Sequence, residues 1–282
     1  MKEERETKSQ KIVGFINKAM DIVDVVPGLS ISVIDKEGLL LSKGFGYADL
    51  ENSIPASNKT NFYIASTTKS FVGLLGLVLH DEGLLNLDRD ILELKPFSKF
   101  ERQDVFQNIK VRDLLTHQTG IDNGFLSFRL AYTGDYTNDD ILRITEDQTF
   151  LREEGKEFEY TNFGYYLYGL ILKEELGKNW QDLLEQKIFN PLNMENASGY
   201  ISKTEDKYLA FPYHGADPWS LQKSHTLKTD ATMHPAGGLM MNANDVSKFL
   251  SAYVSNDHKL GKSDLLARSY KPYAETGNDI PV

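Results

Sequence analysis

The sequence predicts an α/β lobe joined to an all-helical lobe. Three observations carry this. A strand–turn–strand pattern occupies residues 29–45. From Leu85 to Met194 the chain reads as helices and loops, with no convincing strand. Beyond that, the small and apolar run Gly237-Gly238-Leu239-Met240-Met241 leads into a last amphipathic helix, a return to the first lobe. The expected division is 1–84 for the N-terminal part of the α/β lobe, 85–200 for the helical lobe and 201–282 for the return.

Ile12, Val13, Phe15, Ile16, Ala19, Met20 and Val23 recur at helical spacing, which predicts a helix over Lys11 to Val23, ended by Pro27-Gly28. Leu29 to Ile34 and Leu39 to Phe45 flank the turn Asp35-Lys36-Glu37-Gly38, a hairpin signal. Phe71 to Leu79 is apolar on every side, as a core helix is. Glu82-Gly83 is its stop, since Gly83 can take the left-handed conformation past the last turn. Leu85 to Ile91 opens a long helical region. Val111 to His117 is a short helix closed by Thr119-Gly120. Thr137 caps the next, with Asp140 as its reciprocal acidic partner. Phe163 to Leu176 follows, stopped by Gly177, then Trp180 to Phe189, ended before Pro191. Asn242-Ala243-Asn244-Asp245 caps the final helix, Val246 to Tyr253.

Composition narrows the function classes. Hydrophobic residues make up 40% of the 282 and charged residues 26%, as in a globular core. A formal net charge of −10 argues against nucleic acid and anionic membranes as partners, since both need basic patches. There is no cysteine, so no disulfide and no thiol nucleophile. No run is long enough to span a bilayer. The charged start Met1-Lys2-Glu3-Glu4-Arg5-Glu6 has no apolar segment behind it, which leaves two expectations: a cytoplasmic protein, or an exported one whose signal has been removed. The six histidines include no helical i,i+4 pair, and no carboxylate cluster has metal-ligand spacing, so neither metal nor other cofactor is expected. Gly44 and Gly46 lack the third glycine of a nucleotide fingerprint. The expected partner is a small-molecule or peptide substrate, with the oligomeric state open.

The chemistry gathers where polar residues meet the start of the core helix, at Ser66-Thr67-Thr68-Lys69. Residues i and i+3 share a helix face, so the Lys69 amine can approach the Ser66 hydroxyl. A helix N-terminus adds free N–H groups and partial positive charge. A serine nucleophile needs this: a nearby proton acceptor, and donors for a developing oxyanion. The competing reading makes Ser66 a helix cap and Lys69 a solvated first-turn residue. Ser220-Leu221-Gln222-Lys223 repeats the spacing without the helix context. His117 reads as a hydrogen-bonding residue at a helix end. His234 reads as part of a turn that could line a cleft, and Tyr165, Tyr166 and Tyr168 as core packing.

Seven landmarks in order resemble the serine β-lactamase and penicillin-binding-protein superfamily, in its class C-like branch. They are Gly44-Phe45-Gly46-Tyr47-Ala48-Asp49, Ala65-Ser66-Thr67-Thr68-Lys69-Ser70, Glu82-Gly83 with Leu87-Asp88, Leu114 to Gly120, Phe158 to Tyr165, Pro191-Leu192-Asn193-Met194 and Pro235 to Leu239. The resemblance implies a β-lactamase/transpeptidase-like fold. It also implies Ser66 as nucleophile, Lys69 and Tyr160 as its catalytic partners, and Asn162 as a substrate-binding residue. The expected reaction is acyl transfer through an acyl-enzyme on an amide, ester or β-lactam carbonyl, of β-lactamase, D-peptidase or esterase type. A penicillin-binding or sensing module and a catalytically inert family member are the alternatives. A phenol is a poor base at neutral pH. A neighbouring ammonium favours the phenolate, while burial of a lysine favours the free amine, so the proton acceptor stays open between Tyr160 and Lys69.

The third family motif, Lys-Thr-Gly or a His-x-Gly variant on a cleft-lining strand, is not found. Thr276-Gly277 follows Glu275, and His214-Gly215 comes too early. The expectation is a chain truncated ahead of that strand, its sheet represented by the Leu29–Phe45 hairpin alone. Strands supplied by another chain, and a family member that has lost catalysis, are the other two readings.

Overall fold

A computed structural model of the chain describes residues 2–134, 136–152, 155–217, 220–224, 228–255 and 258–275. In order, the elements are α1 (Lys2–Ile22), β1 (Gly28–Asp35), β2 (Gly38–Asp49), β3 (Ile54–Pro55), β4 (Phe62–Tyr63), α2 (Thr68–Asp81), α3 (Gln103–Phe106), α4 (Val111–Leu115), β5 (Ile121–Asp122), α5 (Gly124–Tyr132), α6 (Asn138–Gln148), β6 (Phe150–Leu151), α7 (Phe163–Leu176), α8 (Trp180–Leu184), β7 (Tyr213–His214), β8 (Gln222–Lys223), β9 (Met240–Met241), α9 (Ala243–Ser255) and α10 (Leu265–Ser269). They fall into two compact units. The first comprises Met1–Tyr63, Phe189–Lys228 and Met240–Lys259; the second comprises Ile64–Ile188, Thr229–Leu239 and Leu260–Val282. The units divide at Tyr63/Ile64, whereas the sequence expectation drew its boundary after Leu84.

In the first unit, β1 and β2 form the expected antiparallel hairpin about Lys36-Glu37, with Ser32 opposite Ser42 and Gly28 opposite Gly46. The sheet is larger than the hairpin alone, because β3 adds a third strand beside β2. The pairs β4–β9 and β7–β8 lie outside that sheet. The amphipathic α9 covers β1 and β2. Its N-terminus is capped as the sequence suggested, Asn242 Oδ1 accepting from the Asp245 N–H at 2.9 Å. Helix α1 is longer than its apolar pattern, and Phe15 and Ile22 on it stay exposed.

The second unit is organised around α2. Phe71, Val72, Leu74, Leu75, Val78 and Leu79 are all buried, each contributing about 1.5–3 kcal/mol relative to exposure. A tight turn, Ala65–Thr67, leads into the helix. Gly83 stops it with φ +71°, a left-handed conformation that suits glycine. Around α2 pack α4, α8 and α10. Asp81, at the helix end, pairs with Arg268 of α10 and with Lys262 at 3.3 Å.

Two expectations for this unit are corrected. Leu85 to Ile91 does not open a long helix. Asn86 and Asp90 turn the chain instead, their side chains accepting from the Asp88 and Leu92 N–H groups at 2.9 Å each. Such residues compete with helical hydrogen bonding, and only the short turn Ile91–Glu93 forms. Among the described residues, the region to Met194 also contains a strand pair, β5–β6. The Thr137–Asp140 capping box and the span of α7 are as expected, and Gly177 closes α7. Among the described residues no helix is long and apolar enough to cross a membrane.

Candidate active site

Ser66 lies in the turn that enters α2, and Lys69 sits one turn on. Lys69 Nζ lies at hydrogen-bonding distance from four oxygens: Ser66 Oγ at 3.2 Å, the Tyr160 hydroxyl at 2.7 Å, Asn162 Oδ1 at 2.8 Å and the Ala236 carbonyl at 2.6 Å. The Tyr160 hydroxyl donates to Ser66 Oγ at 2.8 Å, which closes a triangle. All four residues singled out in the sequence are therefore brought together, and the second unit supplies every one of them. The bland readings fail on geometry. No side chain caps the entry to α2, and Lys69 is 7% exposed, not solvated.

Proton counting shows what the cluster can do. An ammonium has three protons to donate, and four oxygens surround this one. If three protons go to Ala236, Asn162 and Tyr160, the phenol proton is left for Ser66 Oγ. A neutral amine donates two and accepts one, so a hydroxyl proton can move onto it. Burial pushes the Lys69 pKa below the ordinary lysine value; the hydrogen bond and charge interaction with Tyr160 oppose the fall. Tyr160, by contrast, is 53% exposed.

The loop carrying Tyr160 is pinned by residues the sequence did not mark for this task. The His117 carbonyl accepts from the Glu159 N–H at 3.0 Å, and His117 Nδ1 accepts from the Thr161 N–H at 3.3 Å. Thr161 Oγ1 donates to Asp122 at 3.4 Å. Arg152 bridges Asp122 at 3.3 Å and Glu159 at 2.9 Å. Asn162 stands at the start of α7, yet its side chain turns to Lys69; Thr161 Oγ1 instead accepts from the Phe163 N–H at 3.1 Å. Tyr165 is buried, as expected of core packing, but its ring also lies 5.4 Å from Lys69 Nζ.

A cavity of about 680 Å³ opens on the cluster, within the range of small-molecule sites. Ser66, Lys69 and Tyr160 line it with Gly73, Leu77 and Phe158. His117 lines it too, whereas His234 packs on the Tyr166 ring. The second Ser-x-x-Lys has no such setting: Ser220 Oγ donates to the Asp217 carbonyl at 3.1 Å, and Lys223 pairs with Asp49 at 2.8 Å. His214 lies in β7; His225 and Thr276-Gly277 lie outside the described residues. Among the described residues, no group of three or more His, Asp or Glu side chains is arranged to hold a metal ion.

The Beta-lactamase family model matches residues 16–278. Protein flp of Staphylococcus aureus (strain N315) is 27% identical over 253 residues, 89% of this chain and 50% of its own length. The chain thus spans about half the length of the curated relatives it matches. Among solved structures, the octameric penicillin-binding protein homologue from Pyrococcus abyssi superposes with a TM-score of 0.76 at 27% identity, covering 96% of this chain and 62% of that one. The D-amino acid amidase from Ochrobactrum anthropi SV3, complexed with L-phenylalanine amide, gives 0.72 at 25% identity, covering 93% and 73%. The fold is β-lactamase/transpeptidase-like, and with its helix-entry serine, buried lysine and facing tyrosine the chain belongs to the beta-lactamase family.

Proposed function

We propose that this chain carries the acylation centre of a serine hydrolase acting on amide, ester or β-lactam carbonyls. The observation that supports the reading is the closed triangle: Lys69 Nζ at 3.2 Å from Ser66 Oγ and 2.7 Å from the Tyr160 hydroxyl, which is itself 2.8 Å from Ser66 Oγ. Ser66 Oγ attacks the carbonyl carbon and gives its proton to the Lys69–Tyr160 pair. The oxyanion forms beside the Ser66 backbone N–H, in a turn whose first N–H groups have no partner within the helix. The pair returns the proton to the departing amine or alcohol as the acyl-enzyme forms. Water then adds to the ester, losing its proton to the same pair, and the acid leaves as Ser66 regains its hydrogen. With its Oδ1 held by Lys69, the Asn162 amide has its NH2 to donate to a substrate carbonyl. D-amino acyl amides and esters are the first substrates to try, in view of the similarity to a D-amino acid amidase.

The test is intact-mass analysis after incubation with a fluorescent penicillin and, separately, with a fluorophosphonate, using wild type and Ser66→Ala. The expected result is one adduct in wild type and none in the variant. An adduct that persists in Ser66→Ala overturns the assignment of the nucleophile. Release of the penicilloyl adduct over time means turnover; a permanent one-to-one adduct means a penicillin-binding module.

A further inference from the structure

His117 is bound into the Tyr160 loop at three points. Its carbonyl takes the N–H of the residue before Tyr160, and its Nδ1 takes the N–H of the residue after it. Its ring lies against the phenol itself, centroids 4.7 Å apart and tilted by 41°. Phe158 and Tyr165 close around the imidazole at 5.7 and 5.5 Å. His117 does this from φ +60°, a left-handed conformation uncommon for a residue with a Cβ, though histidine takes it more readily than most. A residue that grips both peptide groups flanking a reactive side chain is over-built for a helix end.

We propose that His117 is a positioning residue for the acyl transfer, a neutral clamp that holds the Tyr160 hydroxyl at bonding distance from both Ser66 and Lys69. The proposal rests on the serine-hydrolase reading above. Burial pushes the His117 pKa down to about 4, and the Lys69 charge adds to the fall. The ring is therefore uncharged at neutral pH, and since Nδ1 accepts a hydrogen bond its proton sits on Nε2. An imidazolium there would lose the Thr161 hydrogen bond and face the Lys69 ammonium and Arg152. The clamp works by shape and one acceptor, and takes no proton in the reaction.

The experiment measures fluorophosphonate labelling across pH 5–10, separating the limiting rate from the concentration at half-maximal rate. The proteins are wild type, His117→Ala, His117→Asn and His117→Phe, each checked for folding by circular dichroism. Asparagine tolerates the left-handed conformation and keeps an acceptor; phenylalanine keeps the ring contact alone. His117→Ala should lower the limiting rate about a hundredfold, the scale expected for misplacing a reacting group by roughly 1 Å, with the half-saturating concentration unchanged. His117→Asn and His117→Phe should each recover part of the rate, and the pH midpoint should stay at the wild-type value in all three. An unchanged rate in a folded His117→Ala overturns the proposal, as does a loss confined to half-saturation. A pH midpoint that disappears would make His117 a base and overturn it too. Ser66→Ala, run alongside, separates the two levels: if it labels like wild type, or wild type does not label, the hydrolase reading falls first.

Discussion

Lys69 Nζ lies 2.7 Å from the Tyr160 hydroxyl and 4.8 Å from the centre of its ring, so the lysine meets the phenol at its polar end. The two are unequal partners. The lysine is buried and the tyrosine half open to solvent. Removing the hydroxyl alone should therefore separate chemistry from stability. Tyr160→Phe is expected to slow acylation by about a hundredfold to ten-thousandfold, the usual contribution of a positioned proton-transfer group. Its melting temperature should fall only modestly, by the equivalent of about 1 kcal/mol, the usual worth of one hydrogen bond, because Asn162 and Ala236 still hold the Lys69 nitrogen. Fluorophosphonate labelling rates beside thermal melts check both halves. A variant that melts several degrees lower with its labelling rate unchanged would make Tyr160 a structural residue.

Lys69 itself sets a stability that depends on pH. Its folded pKa is lowered by burial from the ordinary 10.5. Between the lowered value and 10.5 the unfolded chain binds a proton that the folded chain has given up, so stability rises with pH across that window. Below it the penalty for charging a buried amine is fully present. Lys69→Met should therefore melt at a higher temperature than wild type at pH 7. The gain should shrink as the pH climbs toward 10.5. Paired melts at pH 7, 9 and 10.5 test this, and a lower melting temperature for the Met variant at pH 7 would mean that the hydrogen bonds of the ammonium outweigh desolvation.

Much of this was legible in the residues because local signals and tertiary need agree. The apolar run behind Ser66, the Thr137–Asp140 box and Gly177 each mark a helix by chemistry confined to a few neighbours. Ser66 and Lys69 were readable for the same reason, being one turn apart. What was not legible depends on distant pairing. Asn86 and Asp90 broke an expected helix because the backbone there pairs with residues 109–112, Ile91 N–H donating to the Ile109 carbonyl and Arg112 N–H to the Leu87 carbonyl. The Ala236 carbonyl, a main-chain group, carries no side-chain signature at all. His117, Asp122 and Arg152 converge on one loop from three stretches, and no spacing rule links them. The hydrogen bonds that tie His117 to the Tyr160 loop, and its left-handed φ, exist only in three dimensions.

The closeness of α4 and α7 makes a third prediction. A Cβ built on Gly164 would lie 2.4 Å from the Leu114 carbonyl oxygen. That neighbour is backbone, so no rotamer change relieves the clash. Gly164→Ala should destabilise by about 1–3 kcal/mol, as overpacking does, although alanine is the better helix former. Because α7 begins beside Asn162, labelling at Ser66 should fall as well. Urea denaturation measures the first effect and intact mass the second. A stabilised Gly164→Ala would mean that the two helices can part without consequence.

Ala65, immediately before the nucleophile, has φ +45°. For a residue with a Cβ this left-handed conformation is unfavourable by about 1–2 kcal/mol. The strain holds because the neighbouring backbone is tied on both sides: the Ile64 N–H donates to the Leu239 carbonyl at 3.0 Å, and the Leu239 N–H donates to Thr68 Oγ1 at 3.1 Å. Ala65→Gly removes the steric penalty but frees the unfolded chain, which offsets about 0.4–1 kcal/mol of the relief. The net expectation is a small gain, on the order of 0.5 kcal/mol in urea. The rate should move the other way. A glycine beside Ser66 widens the range of turn conformations, so Ser66 Oγ spends less time within reach of Lys69 and Tyr160, and labelling should slow. Stability up with rate down is the signature of strain held for positioning. If both rise, the left-handed turn is an accident of packing that the nucleophile can do without.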